Sequence, residues 1–87
     1  MKIETVTFTF EGDLPVVSFA DFAQHRAARL SVELVPQAQT ERSARMQVTG
    51  QVDLVDAFEM AMSLGPEDCI VHDVSRADAT TDEGEQP

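Results

Sequence analysis

The chain has 87 residues, 16 acids against 6 bases, a net charge of −10 and a 43% hydrophobic content. That length suits a single domain with one core. The acidic balance excludes nucleic acid and anionic membrane as expected partners, because neither phosphate counterions nor lipid head groups find a positive footprint. No apolar run approaches 18 residues and no leader pattern is present, so a soluble, cytoplasmic protein is expected. A single cysteine, Cys69, rules out an internal disulfide and suits a reducing compartment.

"KIETVTFTF" alternates, with Val6, Phe8 and Phe10 on one side and Thr5, Thr7 and Thr9 on the other. That is a half-buried strand. A turn follows over Gly12–Pro15. "SFADFAQHRAARL" reads as a helix capped by Ser18, with Asp21 completing an approximate capping box. Its apolar stripe is Phe19, Phe22, Ala23, Ala27 and Leu30. "SVELV" is a short strand that Pro36 is expected to stop, and "PQAQTE" a polar turn. "RSARMQVT" alternates again, with Ala44, Met46 and Val48 inward and Arg45, Gln47 and Thr49 outward. "DLVDAFEMAMSLG" is a second helix, capped by Asp53, with a stripe of Leu54, Phe58, Ala61 and Leu64, and ended by Gly65-Pro66. "DCIVHDVS" is the last strand. Residues 77–87, "ADATTDEGEQP", carry four acids and no large apolar residue. They read as a disordered acidic tail behind a domain of residues 1–76.

The order β-α-β-β-α-β specifies an α+β, ferredoxin-like sandwich: a four-stranded antiparallel sheet with both helices on one face. Within it, "MQVTGQVDLVDAFEMAMSLGPEDCIVHDV" resembles the C-terminal half of acylphosphatases. The matching pieces are Val48-Thr49-Gly50, the helix from Asp53, the Gly65-Pro66 break and the Cys69–Val74 strand, about a third of the chain. The resemblance implies a phosphoryl-binding loop between the first strand and the first helix. There backbone N–H groups and an Arg hold the anion, and an Asn after the second strand positions water. Aligned donors stabilise charge on the phosphoryl oxygens, and an uncharged amide orients the water.

Laid on that pattern from Gly12, "GDLPVVSFA" has Val16 at the second Gly position and Ala20 at the Arg position. Pro15 has no N–H to donate. Glu11 and Asp13 flank the turn, and the chain contains no asparagine. The resemblance therefore implies a degenerate member without the catalytic Arg and Asn. A hydrolase would need relocated residues, with Arg42 or Arg45 replacing the lost Arg.

The remaining signals are read as structural. His25 and His72 match no metal-ligand spacing, so no metal and no cofactor is expected. Acids flank Cys69, which reads as a packing residue, and Met46, Met60 and Met62 read mainly as core filling. Thr5, Thr7, Thr9, Arg45 and Gln47 should form the middle of the open sheet face, since the first and third strands are central neighbours. This face lacks the aromatics that stack RNA bases. The expected function is a non-catalytic interaction or regulatory domain that meets a protein partner or a second copy through this face or an edge strand. A small-molecule sensor is a further alternative.

Overall fold

The computed structural model describes residues 2–78. It contains β1 (Ile3–Asp13), α1 (Val16–Leu30), β2 (Glu33–Gln39), β3 (Ser43–Gln51), α2 (Val52–Leu64) and β4 (Ile70–Asp78). The strands form one antiparallel sheet in the order β2-β3-β1-β4. The helices cover one face, which gives the expected ferredoxin-like sandwich.

Alternation in β1 and β3 builds the core. Val6, Phe8 and Phe10 lie opposite Val48, Met46 and Ala44, and all six are buried. Phe19, Ala23 and Ala27 of α1 and Val55, Phe58 and Met62 of α2 close over them. The aromatics form a chain of contacts: Phe10–Phe19 edge-on at 5.6 Å, Phe8–Phe10 stacked at 5.7 Å and Phe8–Phe58 at 6.1 Å between centroids. Each such pair contributes about 0.5–1.5 kcal/mol beyond its area burial.

Four local expectations are corrected. First, α1 begins at Val16 with Pro15 at its cap position, and no side chain caps it. Proline's fixed φ and missing N–H suit a helix entry, so the helix starts before Ser18 can cap it. Second, Pro36 does not stop β2, which runs to Gln39 with a bulge between Pro36 and Ala38. β2 is an edge strand, where a missing N–H costs no ladder bond. Third, α2 starts at Val52 behind Gln51, so Asp53 lies in the first turn rather than at the cap. Its buried stripe is Val55, Phe58 and Met62, with Leu54 half-buried, while Leu64 is 80% exposed. Positions 55, 58 and 62 repeat at helical spacing, and 64 lies off that row. Fourth, β4 extends to Asp78, where Ala77 and Asp78 pair with Thr7 and Val6. Two residues assigned to the tail therefore belong to the sheet, and the rest of that segment lies outside the described residues.

β4 carries an extra residue against β1. Asp73 faces Glu11 and Val71 faces Gly12, which leaves His72 as the bulge. The bulge shifts side-chain parity, so Val71 packs against the core alongside Val74. It also brings β4 onto Gly12. A Cβ there would fall on the carbonyl oxygen of Ile70 and 3.0 Å from the His72 nitrogen.

Candidate functional site

The β1–α1 connection is stitched to the β2–β3 hairpin. Gly12 N–H donates to the Arg42 carbonyl at 3.0 Å, and Leu14 N–H to the Glu41 carbonyl at 2.8 Å. Pro15 has no N–H, and its carbonyl accepts the first helical bond, from Phe19. Two of the loop's backbone donors, Gly12 and Leu14, are thus bound to the carbonyls of the hairpin. The Ser18 hydroxyl, in the first turn of α1, donates to Asp68 Oδ2 at 2.6 Å.

Charge works in the same direction. Asp13, Glu41 and Asp68 line a hollow of about 330 Å³ beside the loop, with Arg42 the only base in it. On the other side, Glu11, Asp13, Asp73, His72 and Arg42 share a second hollow of about 380 Å³. Carboxylates outnumber bases in both, so an anion entering either is repelled. Ala20, at the matched Arg position, contributes no charge.

The open face of the sheet is organised differently. Thr5, Thr7 and Thr9 lie directly opposite Thr49, Gln47 and Arg45. Thr5 and Thr49 join their hydroxyls at 2.8 Å. Ser75 and Ala77 continue the same rows on β4, opposite Thr9 and Thr7. Thr7, Thr9 and Arg45 come together in a hollow of about 650 Å³, with Gln37, Ser75, Arg76, Ala77 and Asp78 completing its lining. Thr5 and Gln47 occupy the same sheet face but do not line the hollow. Gln37, Ser75, Ala77 and Asp78 were not legible as site residues. Gln37 enters through the edge-strand bulge, and the others depend on β4 outrunning its apolar residues.

Arg76 was also missed. Its guanidinium lies 5.3 Å from the Phe8 ring centroid and reaches Glu59 at 2.8 Å, Asp56 at 3.1 Å and Glu4 at 3.2 Å. Burial lowers its pKa, but the hydrogen bond to Asp56 and the charges of Glu59, Glu4 and Asp56 outweigh that and hold it above its ordinary value. It closes the core edge and ties β4 to α2 and β1.

Cys69 is buried. Burial pushes its thiol pKa up, and the charge of Asp68 and a hydrogen bond to that carboxylate push it further. A thiol held protonated is a poor nucleophile. Both histidines are exposed, and no cluster of three His, Cys, Asp or Glu suited to a metal occurs among the described residues. Met46 and Met62 fill the core, whereas Met60 is 69% exposed. No helix among the described residues is long and apolar enough to cross a membrane.

Element order, strand order and the one-sided helix layer together define a ferredoxin-like α/β sandwich, a fold that acylphosphatases share. The chain is similar in structure to acylphosphatase from Bacillus subtilis, with a TM-score of 0.81 and 18% identity over 95% of this chain and 91% of that one. It is similar to an acylphosphatase from Coxiella burnetii, with a TM-score of 0.79 and 16% identity over 87% and 80%. It also matches full-length HypF in the phosphate- and nucleotide-bound form, with a TM-score of 0.79 and 14% identity, covering 94% of this chain and 11% of HypF. No family model matches the sequence, and neither does any curated protein.

Proposed function

We propose that this chain is a non-catalytic interaction domain built on the acylphosphatase fold, which seats another protein chain on its open sheet face. The observation that carries the reading is the engagement of Gly12 and Leu14 N–H by the Arg42 and Glu41 carbonyls. A loop with these two donors spent internally, with three carboxylates beside it and Ala20 at the matched Arg position, is poorly equipped to stabilise a phosphoryl transition state. Folds outlast particular sites, and this fold also accounts for 11% of the much longer HypF chain.

The open face supplies the complementary property. Thr7, Thr9, Gln37 and Ser75 offer neutral donors and acceptors around Arg45 in one hollow. Such groups pair across a protein interface at modest desolvation cost.

One observation favours a second reading, a hydrolase with a relocated base. Arg42 lines both hollows beside the loop, whereas Arg45 lies on the open face. Hydrolysis of benzoyl phosphate separates the two readings. The expected rate equals that of buffer. Turnover that disappears in Arg42→Gln would establish the hydrolase and sink the non-catalytic reading.

A further inference from the structure

Arg45 shares the hollow of about 650 Å³ on the open sheet face with Thr7, Thr9, Ser75 and Gln37. Among the described residues its guanidinium makes no hydrogen bond and no ion pair. Arg76 is the contrast, held by three carboxylates. A guanidinium presents five donors in a fixed fork that fits a carboxylate. The neighbouring hydroxyls and the Gln37 amide can bond to the backbone of whatever carries that acid. The hollow therefore suits an acidic segment, on a chain whose net charge of −10 repels acids arriving from solution.

We propose that the occupant is the chain's own segment 79–87, which lays Glu83 or Glu85 on Arg45. Three observations carry this. The segment begins at the hollow, because Ala77 and Asp78 at the end of β4 line it. The segment has the complementary charge, with Asp82, Glu83 and Glu85 and no base. It also has the reach. Arg45 faces Thr9, and Thr9 faces Ser75, so Arg45 lies two strands across and three residues back from Asp78. That is about 14 Å at usual sheet spacings. β4 points away from Arg45, so the chain has to turn back. Glu85, seven residues beyond Asp78, spans up to about 24 Å, which is enough to turn and return.

Tethering decides between this segment and an outside acid. A carboxylate held by a few residues of chain meets Arg45 at an effective concentration on the order of millimolar. Its charge is already part of the −10 against which a free acid must approach. Exposed ion pairs are individually weak and screened by salt, so the contact is reversible and loosens as salt rises. The consequence rests on the reading of this face as a seat for another protein chain: the segment covers the seat until a partner displaces it.

A nitroxide tests this in the full chain. Gln86→Cys takes a maleimide nitroxide, while Cys69 stays unlabelled because it is buried and its thiol is held protonated. Nitrogen–proton correlation spectra at low and at about 0.5 M salt then show which amides the label broadens. At low salt, Thr9, Gln37 and Arg45 should broaden, and α1, behind the sheet, should not. Arg45→Gln should reduce that broadening roughly twofold to fivefold, and so should Glu83→Gln combined with Glu85→Gln, or the higher salt. An unchanged thermal melt shows that Arg45→Gln is folded, and the paired Gln variant lies outside the described fold. Broadening confined to Ala77 and Asp78, or indifferent to both charge variants, overturns the proposal. Broadening that persists when one copy carries the nitroxide and another the isotope also overturns it, because the contact is then between molecules. No partner and no hydrolysis enters these readouts, so the proposal and the reading of the face fail separately.

Discussion

The β1–α1 loop and the open sheet face contain similar numbers of polar groups and use them in opposite ways. At the loop, the backbone donors of Gly12 and Leu14 close onto the β2–β3 hairpin, and the Ser18 hydroxyl onto Asp68. On the open face, Thr7, Thr9 and Arg45 line an unfilled hollow, and Thr5–Thr49 is the side-chain hydrogen bond joining the two central strands. The first arrangement spends hydrogen-bonding capacity on the fold, and the second leaves it for something outside. On the proposed reading, a binding loop is lost without loss of shape. Here neighbouring carbonyls take two of the donors, alanine stands at the matched base position and carboxylates flank the loop.

The comparison is broken most severely at Gly12. Gly12→Ala places a Cβ on the carbonyl of Ile70, a backbone atom fixed by the sheet. The expected loss exceeds about 4 kcal/mol, comparable to the whole stability of a small domain. Circular dichroism at 25 °C should show a largely unfolded chain. A melting temperature within a few degrees of wild type would mean that β4 can withdraw, and that the loop is not locked.

A smaller effect comes from pH, at the same end of the molecule. The Cys69 pKa is raised in the folded state by burial and by Asp68. The neutral thiol therefore stabilises the fold below its unfolded value of about 8.5, and that contribution is lost as pH rises through the folded value. The chain has no tyrosine and one lysine, so few other groups titrate in this range. The melting temperature should fall above about pH 8.5, and Cys69→Ala should flatten the decline. An equal decline in the variant would assign it to other groups.

Stability should barely register a change on the open face. Thr7→Lys is expected to shift the melting temperature by no more than about 3 °C, because surface substitutions stay within about 0.5 kcal/mol. A larger drop would show that the Thr7 row supports the sheet rather than serving an outside partner. The smallest expected effect is none. Ala20→Arg restores the base that the acylphosphatase resemblance calls for, yet should leave benzoyl phosphate hydrolysis at the buffer rate, because Asp13, Glu41 and Asp68 still surround the loop and the chain has no asparagine. Measurable turnover in that variant would show that the missing base alone separates this loop from an active one.

Sequence reveals these two regions unequally. Alternation in "KIETVTFTF" and "RSARMQVT" was sufficient to place Thr7, Thr9 and Arg45 on one face, because strand periodicity is local. The types at Val16 and Ala20 were enough to predict a missing base. That Gly12 and Leu14 are bound by Glu41 and Arg42 was not readable, since the contact joins segments nearly thirty residues apart and runs through backbone atoms that carry no sequence signal. Pro36 misled for a related reason. Its local meaning is to stop a strand, but its tertiary position on an edge makes it harmless. In α2, apolar residues occur on more than one face, and the rotation that packs Phe58 against Phe8 exposes Leu64.

The position of β4 has a kinetic consequence. β1 is the first element of the chain and has a partner on each side, β3 and β4, of which β4 arrives last: Val6 pairs with Asp78 and Phe8 with Arg76. Until β4 has left the ribosome, β1 is an open edge. Closing a loop of this length before any contact rewards it slows folding. The sheet is therefore completed only once β4 has been made. A chain stalled before Ile70 would present its aromatic strand to any other strand nearby, which makes it a ready substrate for holding chaperones and a source of aggregation.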